Sequence, residues 1–409
     1  MLNKIWAGFF LVGFVAACVQ ALFLGSPGIF GDVVGATFDM AKTGFEIALG
    51  LTGIMCLWLG ILRLGEAGGA VAWIGRLFRP LFRRLFPSIP AGHPAEGSIV
   101  MNMAANVLGL DNAATPIGLK AMAEMHGLNP DKESASDDQI LFLVINTSSV
   151  TLLPVTIFTY RAQMGAADPT DVFLPILIAT YCSTLVGLLV TSLVQRRSLR
   201  DPVILAYLGG MTLFVAALVG YFARLDQATM ESRSSLIANF VILSVVVAFL
   251  GAALRRRAPV YEVFVDGAKE GFRVAVGIIP YLVAMLVAIG VFRASGALDL
   301  LLGGVRAGAD GLGLDTRFVD GLPTAFMKPL SGSGARGMLI ETMKIHGADS
   351  FAGRLASVVQ GSTETTFYVL AVYFGSVGIK RTRHAVGCGL AADLAGVVAA
   401  ILASYFFFG

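Results

Sequence analysis

The sequence predicts an all-α polytopic membrane protein made of two repeats of inverted topology, each with a re-entrant helical hairpin and a discontinuous helix. Three observations predict this. Apolar residues make up 56% of the chain and charged residues 14%, and the mean hydropathy is +0.77, which would leave a soluble protein of 409 residues too little polar surface. The chain also reads one passage twice: GFEIALG at 44–50 returns as GFRVAVG at 271–277, and EMHG at 124–127 as KIHG at 344–347. Finally, NTSSVT at 146–151 falls against GSTETT at 361–366, each a polar run inside an apolar helix. Duplicated hydrophobic units with polar interruptions are the pattern of membrane transporters built from repeats.

A bilayer core of roughly 30 Å takes about 20 apolar residues per helix. Stretches of that kind lie at 4–25, 43–64, 139–160, 171–194, 202–222, 235–254, 274–293, 353–378 and 385–408, which gives nine spans and two hairpin-like segments. The first contains Val15-Ala16-Ala17-Cys18, resembling a lipoprotein cleavage box. It continues apolar after the cysteine and so reads as a spanning helix. Cys18, Cys56, Cys182 and Cys388 fall within apolar stretches without a CxxC pair and read as packing residues. The net charge of +3 does not point to nucleic acid.

Basic residues fix the expected orientation, because Lys and Arg collect on cytoplasmic loops. They cluster at 76–84, 196–200, 255–257 and 380–383. An inward N-terminus puts all four clusters on the cytoplasmic side and leaves the 161–170 and 223–234 loops, and the C-terminus, outside. Five spans then separate the start of the first unit from the start of the second, so the second is inverted. The expected domains are an N-terminal helix and linker at 1–42, a first repeat at 43–200, two linking helices at 201–257 and a second repeat at 258–409.

The segment 91–127 has apolar runs too short to cross the membrane, with Gly109, Pro116 and Gly118 as interruptions. It is expected to be a re-entrant hairpin with Asp111, Asn112 and Thr115 near its tip. Its counterpart at 321–347 has Ser331, Gly332, Ser333 and Gly334 at its turn. Non-helical backbone at membrane depth survives only where it is buried or lines a watery cavity. The helices that follow carry Asn146, Thr147, Ser148, Ser149 and Thr151 ahead of Pro154, and Gln360, Ser362, Thr363, Glu364, Thr365 and Thr366 around Gly361. Unwound helices free carbonyls for cations, and half-helix N-termini favour anions, so these rows are the expected substrate site. The alternative is that the hydroxyls bond back to their own helix and act as packing glue.

Glu364, Asp393 and Asp111 are the candidates for binding a coupling Na+ or H+, because ionisable groups at membrane depth are costly. Glu341 and Lys344, three apart, read as a helix-face pair. GRLFRPLFRRLF at 75–86 places arginines on one face of a helix and apolar residues on the other, which fits the lipid interface. The linker 129–139 reads as a solvated connection. There is no GxxxxGK[ST] loop, no HExxH and no nucleophile with a base, so the sequence gives no support to an enzyme, an ATP-driven pump or an intramembrane protease. The isolated His93, His126, His346 and His384 have no ligand spacing, and neither metal nor cofactor is expected.

On NMAANVLGLDNAATPIGLKAM at 102–122, PLSGSGARGMLIE at 329–341 and QGSTETTFYVLAVYFG at 360–375, the chain resembles the spore maturation A and B membrane proteins joined end to end. These belong to the group carrying the gate, or nucleoside-recognition, domain. The resemblance implies kinship with concentrative nucleoside transporters and a bacterial inner-membrane location. It also implies a cation-coupled carrier of a small polar solute, nucleoside-like or amino-acid- or peptide-like. The competing expectation is a non-transporting scaffold in envelope or spore maturation. The expected partners are the bilayer and the solute, and a homo-oligomer is left open.

Overall fold

The computed structural model describes residues 2–23, 25–109, 111–148 and 151–409. Ser149 lies outside the described residues, and so do the side chains of Asp111 and Asn112. The chain opens with α1 (Leu2–Phe23), the long α2 (Ile29–Gly68) and the amphipathic α3 (Ala70–Leu85). Next come α4 (Pro94–Val107), α5 (Asp111–Leu128), α6 (Asp137–Thr147), α7 (Val155–Gln163) and α8 (Phe173–Val194). Two linking helices follow, α9 (Pro202–Phe222) and α10 (Gln227–Arg255). The second series is α11 (Val260–Ala294), α12 (Ala297–Gly311), α13 (Leu322–Met327), α14 (Gly332–His346), α15 (Phe351–Ser362), α16 (Thr366–Ser376) and α17 (Ala385–Phe408).

Seven described helices, α1, α2, α8, α9, α10, α11 and α17, are long and apolar enough to cross a bilayer. The other two expected spans are broken where the polar rows fall. The 139–160 stretch becomes α6 and α7, and 353–378 becomes α15 and α16. Pro154 removes a helical donor from the first, and the Thr-Glu-Thr run in the second is a poor helix former. Two spans are longer than hydropathy suggested, since α2 runs for 40 residues and α11 for 35. Their polar N-terminal turns continue the helix beyond the apolar stretch.

One order of elements occurs twice. A long helix meets a left-handed glycine, Gly69 or Gly296, that caps an amphipathic helix, α3 or α12. A pair of shorter helices follows, then a broken helix, then an unbroken one. Gly44 precedes Gly69 by the interval at which Gly271 precedes Gly296, so the sequence repeat and the order of elements share one register.

The chain folds into two compact units that both draw on each series. The first comprises residues 1–59, 156–169 and 268–360, and the second 60–155, 170–267 and 361–409. In the first, Met285 and Ile289 of α11 pack with Met327, Ala335 and Met338 of α13 and α14. Arg161, fully buried, ties two loops of this unit by donating to Ala348 O at 2.7 Å and pairing with Asp349 at 3.1 Å. The Glu341–Lys344 pair does not form. Glu341 instead faces Arg293 at 3.6 Å, and Lys344 Nζ donates to Thr43 Oγ1 at 3.1 Å, because α14 turns Glu341 inward and Lys344 outward.

In the second unit α6 is buried along its whole length, with Ile140, Leu141, Phe142 and Leu143 in a core completed by Phe374 and Cys388. The 129–139 linker is more than a solvated connection. Ser134 pairs with Arg381 in a β-bridge, Lys380 meets Glu133 at 2.9 Å, Arg383 meets Asp137 at 2.9 Å, and Ser136 closes a capping box with Gln139. Its acidic residues face the basic turn before α17, a complementarity between segments far apart in sequence.

Candidate functional site

The two helix breaks meet in the second unit. At the end of α6, Thr147 O accepts the Glu364 N–H at 2.7 Å, so the carbonyl left over at one break is satisfied by the backbone of the other. Ser148 caps α6, its N–H bonding Val144 O at 3.1 Å, and its own carbonyl accepts from Thr184 of α8. The turn between α4 and α5 rests on the same break. Leu152 N–H bonds Val107 O at 2.8 Å, and Gly109, at φ 71°, lies so close that a Cβ there would sit 2.5 Å from Leu153 O. A glycine is required at this turn both for its left-handed backbone and for that approach. Pro116 and Gly118, expected as interruptions, lie inside α5 together with Thr115, and Gly109 alone ends a helix.

The first polar row is largely occupied with its own helix. Thr147 Oγ1 and Ser148 Oγ both donate to Val144 O, at 2.9 and 2.8 Å. Asn146 donates to Phe142 O at 2.9 Å and accepts from Asn106 at 2.8 Å and from Tyr373 OH at 3.3 Å, which ties α4, α6 and α16 together. Asn102 donates to Ala114 O at 2.8 Å across the α4–α5 pair, and Gly118 leaves room for both Asn102 and Tyr373. Sequence reading missed Asn102, Asn106 and Tyr373. The i, i+4 asparagines of NMAAN were the available signal.

The second row is differently placed. Thr363 Oγ1 and Thr366 Oγ1 are buried without a hydrogen-bond partner among the described residues, and Ser362 and Thr365 are buried. Glu364 was expected inside an apolar helix. It sits instead in the break between α15 and α16, with its side chain exposed, because the chain there is extended rather than helical. Asp393 does lie inside a helix and is 3% exposed. It shares a face of α17 with Gly389, one turn before, and Gly396, one turn after. A Cβ at Gly389 would meet Thr366 Cγ2 at 2.7 Å, and one at Gly396 would meet Thr363 Cγ2 at 2.6 Å. That face therefore runs along the break, with the buried Asp393 placed on α17 between a glycine that meets Thr363 in the break and one that meets Thr366 at the start of α16, whose N-terminus has no side-chain cap. α8 closes the other side through Ser183, whose Oγ donates to Ala392 O at 2.9 Å, and through Gly187, where a Cβ would meet Ser148 Oγ at 3.2 Å.

Ser331, Ser333 and Gln360 belong to the first unit. Ser331 caps α14, its Oγ accepting from Gly334 N at 3.0 Å and lying 3.2 Å from Ser333 Oγ. Gln360 is 7% exposed, and its Oε1 has no hydrogen-bond partner among the described residues. No group of three or more His, Cys, Asp or Glu among the described residues is arranged to hold a metal ion.

A family model described as Gate, nucleoside recognition, matches two segments, residues 48–164 and 275–380, together more than half of the chain. The two matches begin in the register set by Gly44 and Gly271. Spore maturation protein A of Bacillus subtilis (strain 168) is 39% identical over 183 residues, covering 45% of this chain and 90% of that protein. Spore maturation protein B of the same strain is 51% identical over 154 residues, covering 38% of this chain and 85% of that protein. The resemblance read from the sequence is borne out, and with seven apolar helices of spanning length the chain is a multi-pass membrane protein. With both segments matched in one register, the chain belongs to the Gate nucleoside-recognition family.

Proposed function

We propose that this protein is a cation-coupled secondary transporter of a small polar solute, nucleoside-like or amino-acid- or peptide-like, working by alternating access. The observation that carries this reading is the meeting of two helix breaks, one from each repeat, through the Glu364 N–H and Thr147 O. Broken helices that meet in this way bring half-helix termini together with the hydroxyls of Thr363 and Thr366, unpaired among the described residues, groups that a polar solute could engage. The family description, nucleoside recognition, favours a nucleoside-like solute.

In this reading Glu364 and the hydroxyls of Thr363 and Thr366 contact the solute, while Asn146, Thr147 and Ser148 hold the breaks in shape. Asp393 binds the coupling Na+ or H+. The α4–α5 and α13–α14 pairs are re-entrant hairpins that act as gates. The repeats are inverted in the bacterial inner membrane, with the N-terminus cytoplasmic and the C-terminus external. The second reading, a membrane scaffold in envelope or spore maturation, is favoured by the names of the two relatives, which refer to maturation and to no solute.

A thermal-shift screen of the purified protein against nucleosides, amino acids, short peptides and dicarboxylates, with and without Na+ and across pH, separates the two. A transporter gives a ligand that raises the wild-type melting temperature; Glu364→Gln loses that shift, and Asp393→Asn loses its dependence on Na+ or pH. A folded, monodisperse protein that no compound stabilises, and whose two variants behave like the wild type, would favour the scaffold.

A further inference from the structure

The amphipathic helix of the first series carries charge that its counterpart lacks. α3 bears Arg76, Arg79, Arg83 and Arg84 and no acidic residue, whereas α12 bears Asp299, Arg306 and Asp310. The two are built alike. Arg79 follows Gly69 at the interval at which Arg306 follows Gly296, and each arginine reaches an acid at the start of the next helix pair: Arg79 to Glu96 at 2.9 Å and Arg306 to Asp320 at 2.7 Å. Arg83 also approaches Glu96, at 3.5 Å, and Arg84 faces Asp201 at 3.6 Å. Three of the four guanidinium groups thus share two carboxylates, and the fourth, Arg76, is exposed with no carboxylate within ion-pair distance among the described residues.

Beside Arg83 is a cavity of about 300 Å³ lined by Phe82, Arg83, Phe86, Pro90, Glu96 and Ile99, its exposed wall about equally polar and apolar. Its level in the membrane is fixed by α9. Tyr207, in the second turn of that spanning helix, donates to Leu77 O, and Asp201 at its N-cap faces Arg84. α3 therefore lies at the end of a spanning helix, where lipid headgroups are. Trp73 and Leu77, 61% and 50% exposed, continue the outer face as an interfacial anchor.

We propose that the groove between α3 and the start of α4 is a binding site for an anionic phospholipid, its phosphate held by Arg83 in the groove and by Arg76 two turns away on the same face of α3, and its glycerol and upper acyl carbons lying against Phe82, Ile89 and Pro90. A phosphodiester headgroup complements the surplus of guanidinium, and a wall that is polar in one part and apolar in another suits an amphiphile rather than a free anion. Glu96 competes for the same arginines, which sets the affinity. α12, with its two aspartates, has no such site. The proposal stands independently of the transport reading.

The test is native mass spectrometry of the full chain in a neutral detergent, with phosphatidylglycerol or phosphatidylcholine of the same acyl chains. The wild type retains phosphatidylglycerol in preference by roughly fivefold or more. Arg76→Gln with Arg83→Gln abolishes the preference, Glu96→Gln strengthens it by removing the competing carboxylate, and Arg306→Gln leaves it unchanged. If the double variant does not fold, Arg76→Gln alone lowers the preference, since Arg76 makes no ion pair. Equal retention of both lipids overturns the proposal. So does a weakening by Glu96→Gln as large as that by the arginine changes, which would mark the contacts as purely structural. Displacement of the lipid by millimolar inorganic phosphate would assign the groove to a free anion instead.

Discussion

His384 illustrates how single side chains couple the loops to pH. It precedes α17, and its Nε2 lies 3.0 Å from Gln195 Nε2, an arrangement that needs the ring nitrogen as acceptor and therefore a neutral ring. Burial holds its pKa below the ordinary histidine value. Arg383 and Arg197 add to that lowering, and Asp137 opposes it. A base whose folded pKa is depressed costs nothing above its unfolded value and loses stability as pH falls through that value toward the folded one. The melting temperature should fall as the pH drops below about 6.5. His384→Gln, whose amide oxygen can accept the same bond, should flatten that part of the profile. A variant with an unchanged profile would move the pH dependence elsewhere. At the same scale, the polar character of the two rows was legible from residue type, but the identity of the occupied hydroxyls was not. Thr147 and Ser148 share one carbonyl, whereas Thr363 is held against Gly396, and only the fold distinguishes these fates.

Among the elements, the crossing of α8 and α17 sets the geometry of the breaks. Gly187 faces Ala392, and Gly396 faces Thr363 and Ser183, so the two helices approach as closely as small residues permit. Gly396→Leu would drive a side chain into Thr363, whose Cγ2 lies 2.6 Å from the nearest Cβ position, and into Ser183. Overpacking of this kind should cost about 1–3 kcal/mol and separate α17 from the break. Gly387→Leu, on an exposed part of the same helix with nothing within 4 Å, is the control and should not lower the melting temperature. Equal destabilisation by both would mean that the crossing is not the cause, since helix propensity favours leucine over glycine at either position. The hairpin turns illustrate the limits of local signals. Gly109, Pro116 and Gly118 look equally disruptive in sequence, yet Pro116 and Gly118 are accommodated inside α5, and Gly118 serves a tertiary approach. The charged linker before α6 was read as solvated because its partners, Lys380, Arg381 and Arg383, lie far along the chain.

For the whole molecule, the proposed topology makes a labelling prediction. In a background lacking Cys18, Cys56, Cys182 and Cys388, Ser198→Cys should react with a membrane-impermeant maleimide only after the inner face is opened, and Ala228→Cys should react in intact cells. Labelling of both from one side would contradict the orientation and, with it, the inversion of the repeats. The duplication itself was legible from sequence, because both copies of an opening helix carry the same glycine-punctuated apolar string and the family match falls on both in one register. The division into compact units was not legible, since each unit gathers segments from both copies.

The sequence by itself determined the solvent, the helical class, the duplicated register and the positions at which two spans would break. These follow from composition, from spacing and from the backbone demands of proline, glycine and short polar side chains, all of which act locally. The tertiary structure decided which break meets which, that Asp393 lies beside the second break, and that Glu364 is exposed while Asn146 is engaged by three partners. Those outcomes depend on close approaches between α4, α6, α8, α16 and α17. Such contacts are set by the sizes of residues far apart in the chain, and no pattern within one helix records them.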